Sequence, residues 1–211
     1  MSIADKVREA VARLHAQQSH IPDHRVRRAA EAPLASPVLP GGSEDTLRNS
    51  LASIADRKFC EGVKYSDQQL RADRRAAHPD IVGFGRLLVW RMRRLNVPMF
   101  ESTVWRTMDD QQAAYVLGHS KAKPGESPHN FGMAVDVIHG VRGWDLSRAQ
   151  WSIIGHVGKE LAAQRGLRLT WGGDWKFYDP AHWELHGWRH RLEATAEKER
   201  LALRGLLLPP T

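Results

Sequence analysis

A single cysteine, Cys60, stands among 211 residues, so the chain closes no internal disulfide and builds no cysteine-based zinc cluster. Any metal it holds must be bound through histidine and carboxylate. No apolar run approaches the roughly 20 residues that cross a bilayer as a helix. The opening stretch MSIADKVREAVARLHAQQSH lacks the apolar centre and small-residue cleavage site of a secretory signal. The expectation is therefore synthesis in a cytoplasm without a leader. There is no internal repeat, and neither a helix-turn-helix nor a zinc-finger pattern accompanies the basic residues, so specific nucleic-acid recognition is not expected.

Lys and Arg number 31 against 24 Asp and Glu, a formal net charge of +7. That balance favours polyanionic surroundings: nucleic acid, anionic membranes or the anionic envelope of bacteria. Charge alone does not choose among them. Hydrophobic residues at 42% and charged residues at 26% fit a globular protein long enough to bury a sizeable core. Five of the eight tryptophans (Trp144, Trp151, Trp171, Trp175 and Trp183) fall close together. Most are expected in the core, with one or two lining a groove.

Along the chain, residues 3–17 read as an amphipathic helix, with Ile3, Val7, Val11 and Leu14 at helical spacing. Residues 18–43 carry Pro22, Pro33, Pro37 and Pro40 and then Gly41-Gly42, the composition of an extended arm. A helix is predicted from Ser43 to about Cys60, and residues 66–77 are expected to be helical. His78-Pro79-Asp80 opens another helix, carrying Ile81, Phe84, Leu87, Leu88 and Met92 on one face. Strands are predicted at Val97–Trp105, Met133–Ile138, Leu167–Trp171 and Ala181–Trp188. Further helices are predicted at 109–117, 147–165 and 191–206. Without a regular β-α alternation, the fold class is α+β, a small mixed or antiparallel sheet flanked by helices. The expected organisation is an N-terminal helical extension at 1–65, a catalytic domain at 66–190 and a C-terminal helix and tail at 191–211.

Two segments carry chemistry. Ser127-Pro128-His129-Asn130-Phe131-Gly132-Met133-Ala134-Val135-Asp136 places an imidazole at the end of a loop and a carboxylate seven residues on, within a strand. Gly132 and Ala134 are small enough for the backbone to turn sharply and approach an ion. Asp136 lies amid apolar neighbours, where an unpaired carboxylate is costly and a metal removes the cost. Asp179-Pro180-Ala181-His182-Trp183-Glu184 adds His182 as a third ligand. Two His and one carboxylate leave zinc an open position for water, the arrangement of a catalytic centre. Asp179 is the candidate general base. Glu184 shares the strand face of His182, either as a rival base or as a hydrogen-bond partner of the ligand. His186 reads as structural or as a partner of the ligands.

The stretch SPHNFGMAVD resembles the S-x-H-x-x-G-x-A-x-D signature of the zinc D-Ala-D-Ala carboxypeptidases and the phage L-alanyl-D-glutamate endopeptidases. WGGDW (171–175), DPAHWEL (179–185), WRTMDDQQAAY (105–115) and HPDIVGF (78–84) are similar to the phage lysin branch. The resemblance covers about residues 66–187 and implies a Hedgehog/DD-peptidase-like fold. It implies zinc on His129, Asp136 and His182, with Asp179 as the catalytic carboxylate. It also implies Arg106 as the group binding a substrate carboxylate or the developing oxyanion, and Gln111 and Ser127 in the substrate groove.

The resemblance thus implies a peptidoglycan endopeptidase cutting an L-Ala–D-Glu type bond at the bacterial cell wall, as a phage lysin or a virion component. Phage tail proteins are the expected partners of the N-terminal arm. The alternatives are a carboxypeptidase trimming terminal D-Ala and a non-enzymatic virion protein retaining the fold.

Overall fold

The computed structural model describes residues 44–196. The helix expected at 3–17, the arm at 18–43 and the end of the C-terminal helix lie outside the described residues. Within them run α1 (Glu44–Ala52), α2 (Arg57–Cys60), α3 (Val63–Gln68), α4 (Pro79–Arg94), β1 (Met99–Thr103), α5 (Met108–Val116), β2 (Ala134–His139), α6 (Arg148–Gln164), β3 (Leu169–Trp171) and β4 (His182–Leu185). Residues 188–196 begin a further helix, α7. The fold is α+β. No helix among the described residues is long and apolar enough to cross a membrane.

The four strands form one sheet in the order β1-β2-β4-β3 with every neighbouring pair antiparallel. Alternation along the strands gives the sheet two unlike faces. One face carries Val135, Val137, Trp183 and Leu185, all buried, and α4 and α6 cover it. Helix α4 starts where His78 Nδ1 accepts from the Asp80 amide and Pro79 occupies the first turn. Its buried residues Ile81, Phe84, Leu88 and Met92 recur at helical spacing and form the core stripe. Helix α6 starts with a capping box of Ser147 and Gln150, which satisfies two otherwise unpaired backbone donors.

Helix α6 lies close to the sheet because it presents glycine where the sheet presents tryptophan. A Cβ on Gly155 would stand 2.2 Å from the Trp171 ring, and one on Gly158 would stand 2.4 Å from the Trp183 ring. These two indoles stack on each other with centroids 5.7 Å apart. Trp183 also tilts against Phe84 at 4.9 Å, joining the two helices through the sheet. Truncating so large a buried ring costs about 4 kcal/mol.

Two expectations need correction. The single helix predicted from 43 to 60 is broken: Ile54 turns into the core at 2% exposure, the Asp56 amide donates to the Asn96 carbonyl, and the Asp56 side chain caps α2 at Phe59. The helix expected over 66–77 ends at Gln68. The chain beyond it is irregular, with Arg74 donating to the carbonyls of Ala72 and Gln69 and pairing with the buried Glu101. Residues before 66 pack against those that follow. Ile54, Cys60 and Tyr65 are buried, and α1 is tied to the rest by His139 donating to the Ile54 carbonyl, Arg142 to the Ser53 carbonyl and Gln150 to Ser53 Oγ.

Candidate metal centre

The face of the sheet opposite α4 and α6 presents Asp136 on β2 and His182 and Glu184 on β4. Antiparallel register sets Asp136 directly beside His182. His129 reaches the same point from a one-turn 3-10 helix, Pro128–Phe131. Ser127 begins that turn by accepting from the His129 amide at 3.3 Å. Gly132 ends it in the left-handed region, at φ 64°. A Cβ on Gly132 would stand 2.0 Å from the Ala76 carbonyl oxygen, and the Gly132 carbonyl accepts from the His78 amide at 2.8 Å. The sequence-based reading assigned this glycine to close approach of an ion. The structure assigns it to close approach of the chain at 76–77, which locks the His129 turn against the start of α4.

Three donor atoms converge. His129 Nε2 lies 3.2 Å from Asp136 Oδ1 and 3.3 Å from His182 Nδ1, and His182 Nδ1 lies 3.0 Å from Asp136 Oδ1. Tetrahedral zinc with ligands at its usual bond lengths holds its donor atoms about 3.3 Å apart, so the triangle has the right size. Its chemistry fits as well. His129 Nδ1–H donates to the Val104 carbonyl at 3.0 Å, leaving Nε2 as a bare lone pair. His182 Nε2–H donates to Glu184 Oε2 at 3.3 Å, leaving Nδ1 bare. Two lone pairs and a carboxylate oxygen pointing at one another repel unless a cation lies among them. Among the described residues, these three form the one group of His, Cys, Asp or Glu side chains arranged to hold a metal.

The metal-free electrostatics respond to the same crowding. Burial alone would raise the Asp136 carboxyl, but the imidazoles of His129 and His182 outweigh it and hold that carboxyl well below the usual carboxylate range. Burial opposes a charge on His182 too, yet its hydrogen bonds to Asp136 and Glu184 push its pKa up to about 10. Protons and a metal compete for these donors, so metal binding is linked to proton release.

Asp179 lies on the turn leading into β4, where its carbonyl accepts from the His182 amide at 3.2 Å. Burial, and next the negative charge of Asp136, raise its carboxyl above the ordinary value. A Cβ on Gly172 would stand 2.3 Å from that carbonyl, so the turn from Gly172 to Ala181 folds back tightly on itself. Its Trp175 ring lies 5.2 Å from the His182 imidazole. Trp175 therefore stands at the site while Trp171 lies in the core, its indole N–H donating to the Pro180 carbonyl.

Arg106 follows β1 and is fastened at its backbone: its amide donates to the His129 carbonyl and its own carbonyl accepts from Asn130 Nδ2. Its guanidinium donates to Gln111 Oε1 at 3.0 Å. Gln111 is fully buried, and its amide donates onward to Ser120 Oγ and the Ala122 carbonyl. Ser127 is buried too. Both side chains are buried, Gln111 bonded between Arg106 and the 120–122 loop and Ser127 capping the His129 turn. His186 bonds Thr170 Oγ1 at 3.1 Å on the exposed edge, outside the metal triangle.

Sequence reasoning missed Asn130. This buried amide bonds the carbonyls of Arg106 and Thr107 and accepts from the Gly125 amide. It joins the His129 turn, the Arg106 segment and the loop before the turn, and its place between His129 and Phe131 was the only signal available.

Residues 120–185 match the family model described as D-alanyl-D-alanine carboxypeptidase. That segment contains His129, Asp136, Asp179, His182 and Glu184, and the family is one of those that the motifs resemble. Among solved structures, the chain is similar to the Serratia marcescens L-Ala D-Glu endopeptidase ChiX, with 28% sequence identity, coverage of 62% of this chain and 91% of that one, and a TM-score of 0.46.

Proposed function

We propose that this protein hydrolyses a peptide bond in the stem peptides of bacterial peptidoglycan, with zinc held by His129, Asp136 and His182. The observation that carries the reading is the convergence of their three donor atoms within a segment matching a peptidase family. When bound, zinc supplies Lewis acidity to the scissile carbonyl and to the attacking water.

The chain's own residues do the rest. Asp179, its proton affinity raised by burial and by Asp136, accepts a proton from the water and returns it to the departing amine. Arg106, aimed by Gln111, stabilises negative charge on the carbonyl oxygen, the electrostatic contribution that dominates acyl transfer. Glu184 fixes the tautomer of His182 and keeps Nδ1 free for the metal. Trp175 lies against His182 and limits solvent on that side.

The resemblance of Asp179-Pro180-Ala181-His182 to the phage lysins favours an internal L-Ala–D-Glu type bond. A lysin made in the host cytoplasm and released at lysis, or a virion component opening the wall, fits that substrate. The Pro-rich arm at 18–43, within the N-terminal extension 1–65, is the segment proposed to dock onto phage tail proteins. Trimming of terminal D-Ala is the second reading, and the description of the matching family favours it.

Digestion of purified peptidoglycan by wild type and His129→Ala, with and without chelator, separates the readings by mass spectrometry. New L-Ala carboxyl ends that need both His129 and the metal mark the endopeptidase. Loss of terminal D-Ala alone marks the carboxypeptidase. No release by a folded, zinc-supplied protein refutes both.

A further inference from the structure

The turn that carries Trp175 and Asp179 also carries Phe177, a large aromatic with 60% of its surface exposed. The Lys121 ammonium lies over its ring, 5.5 Å from the centroid. The two residues come from the two loops that deliver the site's side chains: Lys121 is six residues before Ser127, and Phe177 two before Asp179. One turn thus carries Trp175 against His182 and, two residues on, Phe177 against Lys121.

Lys121 is more than a stray surface lysine because the residues on both sides of it are held by one buried side chain. Gln111, fully buried, donates to Ser120 Oγ at 2.9 Å and to the Ala122 carbonyl at 2.7 Å. The same amide accepts from Arg106 at 3.0 Å. One buried side chain thus sets the places of two cations, Arg106 and Lys121. Among the described residues no carboxylate pairs with Lys121, so its charge is available to a ligand. The Phe177 ring shields one side of it from water, which strengthens its attraction for an anion arriving on the other.

We propose that Lys121, braced over Phe177, is a specificity-determining contact that reads a free carboxylate of the peptide substrate. The inference rests on the peptidase reading and adds to it a charge requirement on the substrate. Stem peptides meet that requirement because a γ-linked glutamate keeps its α-carboxyl free and the peptide end supplies another.

The test uses L-Ala-γ-D-Glu-L-Lys-D-Ala and two analogues, one amidated at the glutamate α-carboxyl and one at the C-terminus. Binding is measured by calorimetry on the chelator-treated full chain, and hydrolysis on the zinc-supplied chain. Wild type is expected to bind one amide about fivefold more weakly than the acid, the size of an exposed ion pair. Lys121→Ala removes that discrimination and raises KM with kcat little changed, while Lys121→Arg and Lys123→Ala retain it. Equal binding of all three peptides by wild type overturns the inference, as does discrimination surviving in Lys121→Ala or no binding at all. Discrimination without hydrolysis upholds the contact and refutes the peptidase reading; hydrolysis without discrimination does the reverse.

Discussion

Glu184 Oε2 lies 3.3 Å from Nε2 of His182, on the side of the imidazole away from Asp136. The carboxylate fixes the ring's tautomer and its rotation, so that Nδ1 presents a lone pair to the metal position. Removing such a partner of a ligating histidine typically weakens metal binding by about 10- to 100-fold. Glu184→Ala is expected to fall in that range in zinc titrations against a competing chelator, with circular dichroism unchanged. Glu184→Gln, which keeps an acceptor oxygen, should lose less. Unchanged affinity in the alanine variant would remove Glu184 from the support of His182.

Gly132 carries two constraints at once, a left-handed φ of 64° and a backbone contact that leaves no room for a Cβ. Gly132→Ala should therefore destabilise the fold by about 2–3 kcal/mol or more. Urea unfolding would read this as a lower midpoint with the same slope. A midpoint like that of wild type would mean that the chain at 76–77 yields more easily than its hydrogen bond from His78 to Gly132 suggests.

Much of the site was legible in the sequence because it is local. The spacing from His129 to Asp136 is set by a one-turn helix followed by a strand, and strand alternation alone puts Glu184 on the face of His182. What escaped the sequence depends on contacts far along the chain. The break after α1 is decided by Asn96 and His139, some 40 and 85 residues beyond it. The bonds of Gln111 to Ser120 and the Ala122 carbonyl likewise depend on how the loop folds over it. Trp171 and Trp175 cannot be sorted by type, since one lies under Gly155 and Gly173 while the other begins the turn at the site.

His139 supports a prediction about acid stability. Its ring is buried, Nε2–H donates to the Ile54 carbonyl at 2.9 Å, and Nδ1 accepts from the amides of Val141 and Arg142, both at 3.1 Å. A second proton on Nδ1 would face those two N–H donors. Burial lowers its pKa below 6.5; the Ile54 carbonyl and Asp56 oppose that, and nearby Arg142 adds to it. With a depressed folded-state pKa, the unfolded chain binds the proton first. The stabilisation is complete above about pH 6.5 and is lost as pH falls from there through the folded value. Urea unfolding at pH 7.5 and 5.5 should show a larger loss for wild type than for His139→Gln. Equal losses would refute the assignment.

The last prediction concerns Gln111 and Arg106, joined by a 3.0 Å hydrogen bond. Gln111→Leu keeps approximate volume but frees the guanidinium and leaves the Ala122 carbonyl without its donor. Loss of orientation at a group acting on the transition state should lower kcat about tenfold, against the about 100-fold or greater loss expected for Arg106→Ala. If Gln111 acts through Arg106, the double variant is no slower than Arg106→Ala alone, a strongly non-additive cycle. Gln111→Glu refines the point: it restores an acceptor for Arg106 but not the donors to Ser120 and the Ala122 carbonyl. It should recover kcat while leaving the Lys121 loop loose and KM raised. Additive losses in the cycle would show instead that Gln111 serves the loop alone, and that the guanidinium finds its place without it.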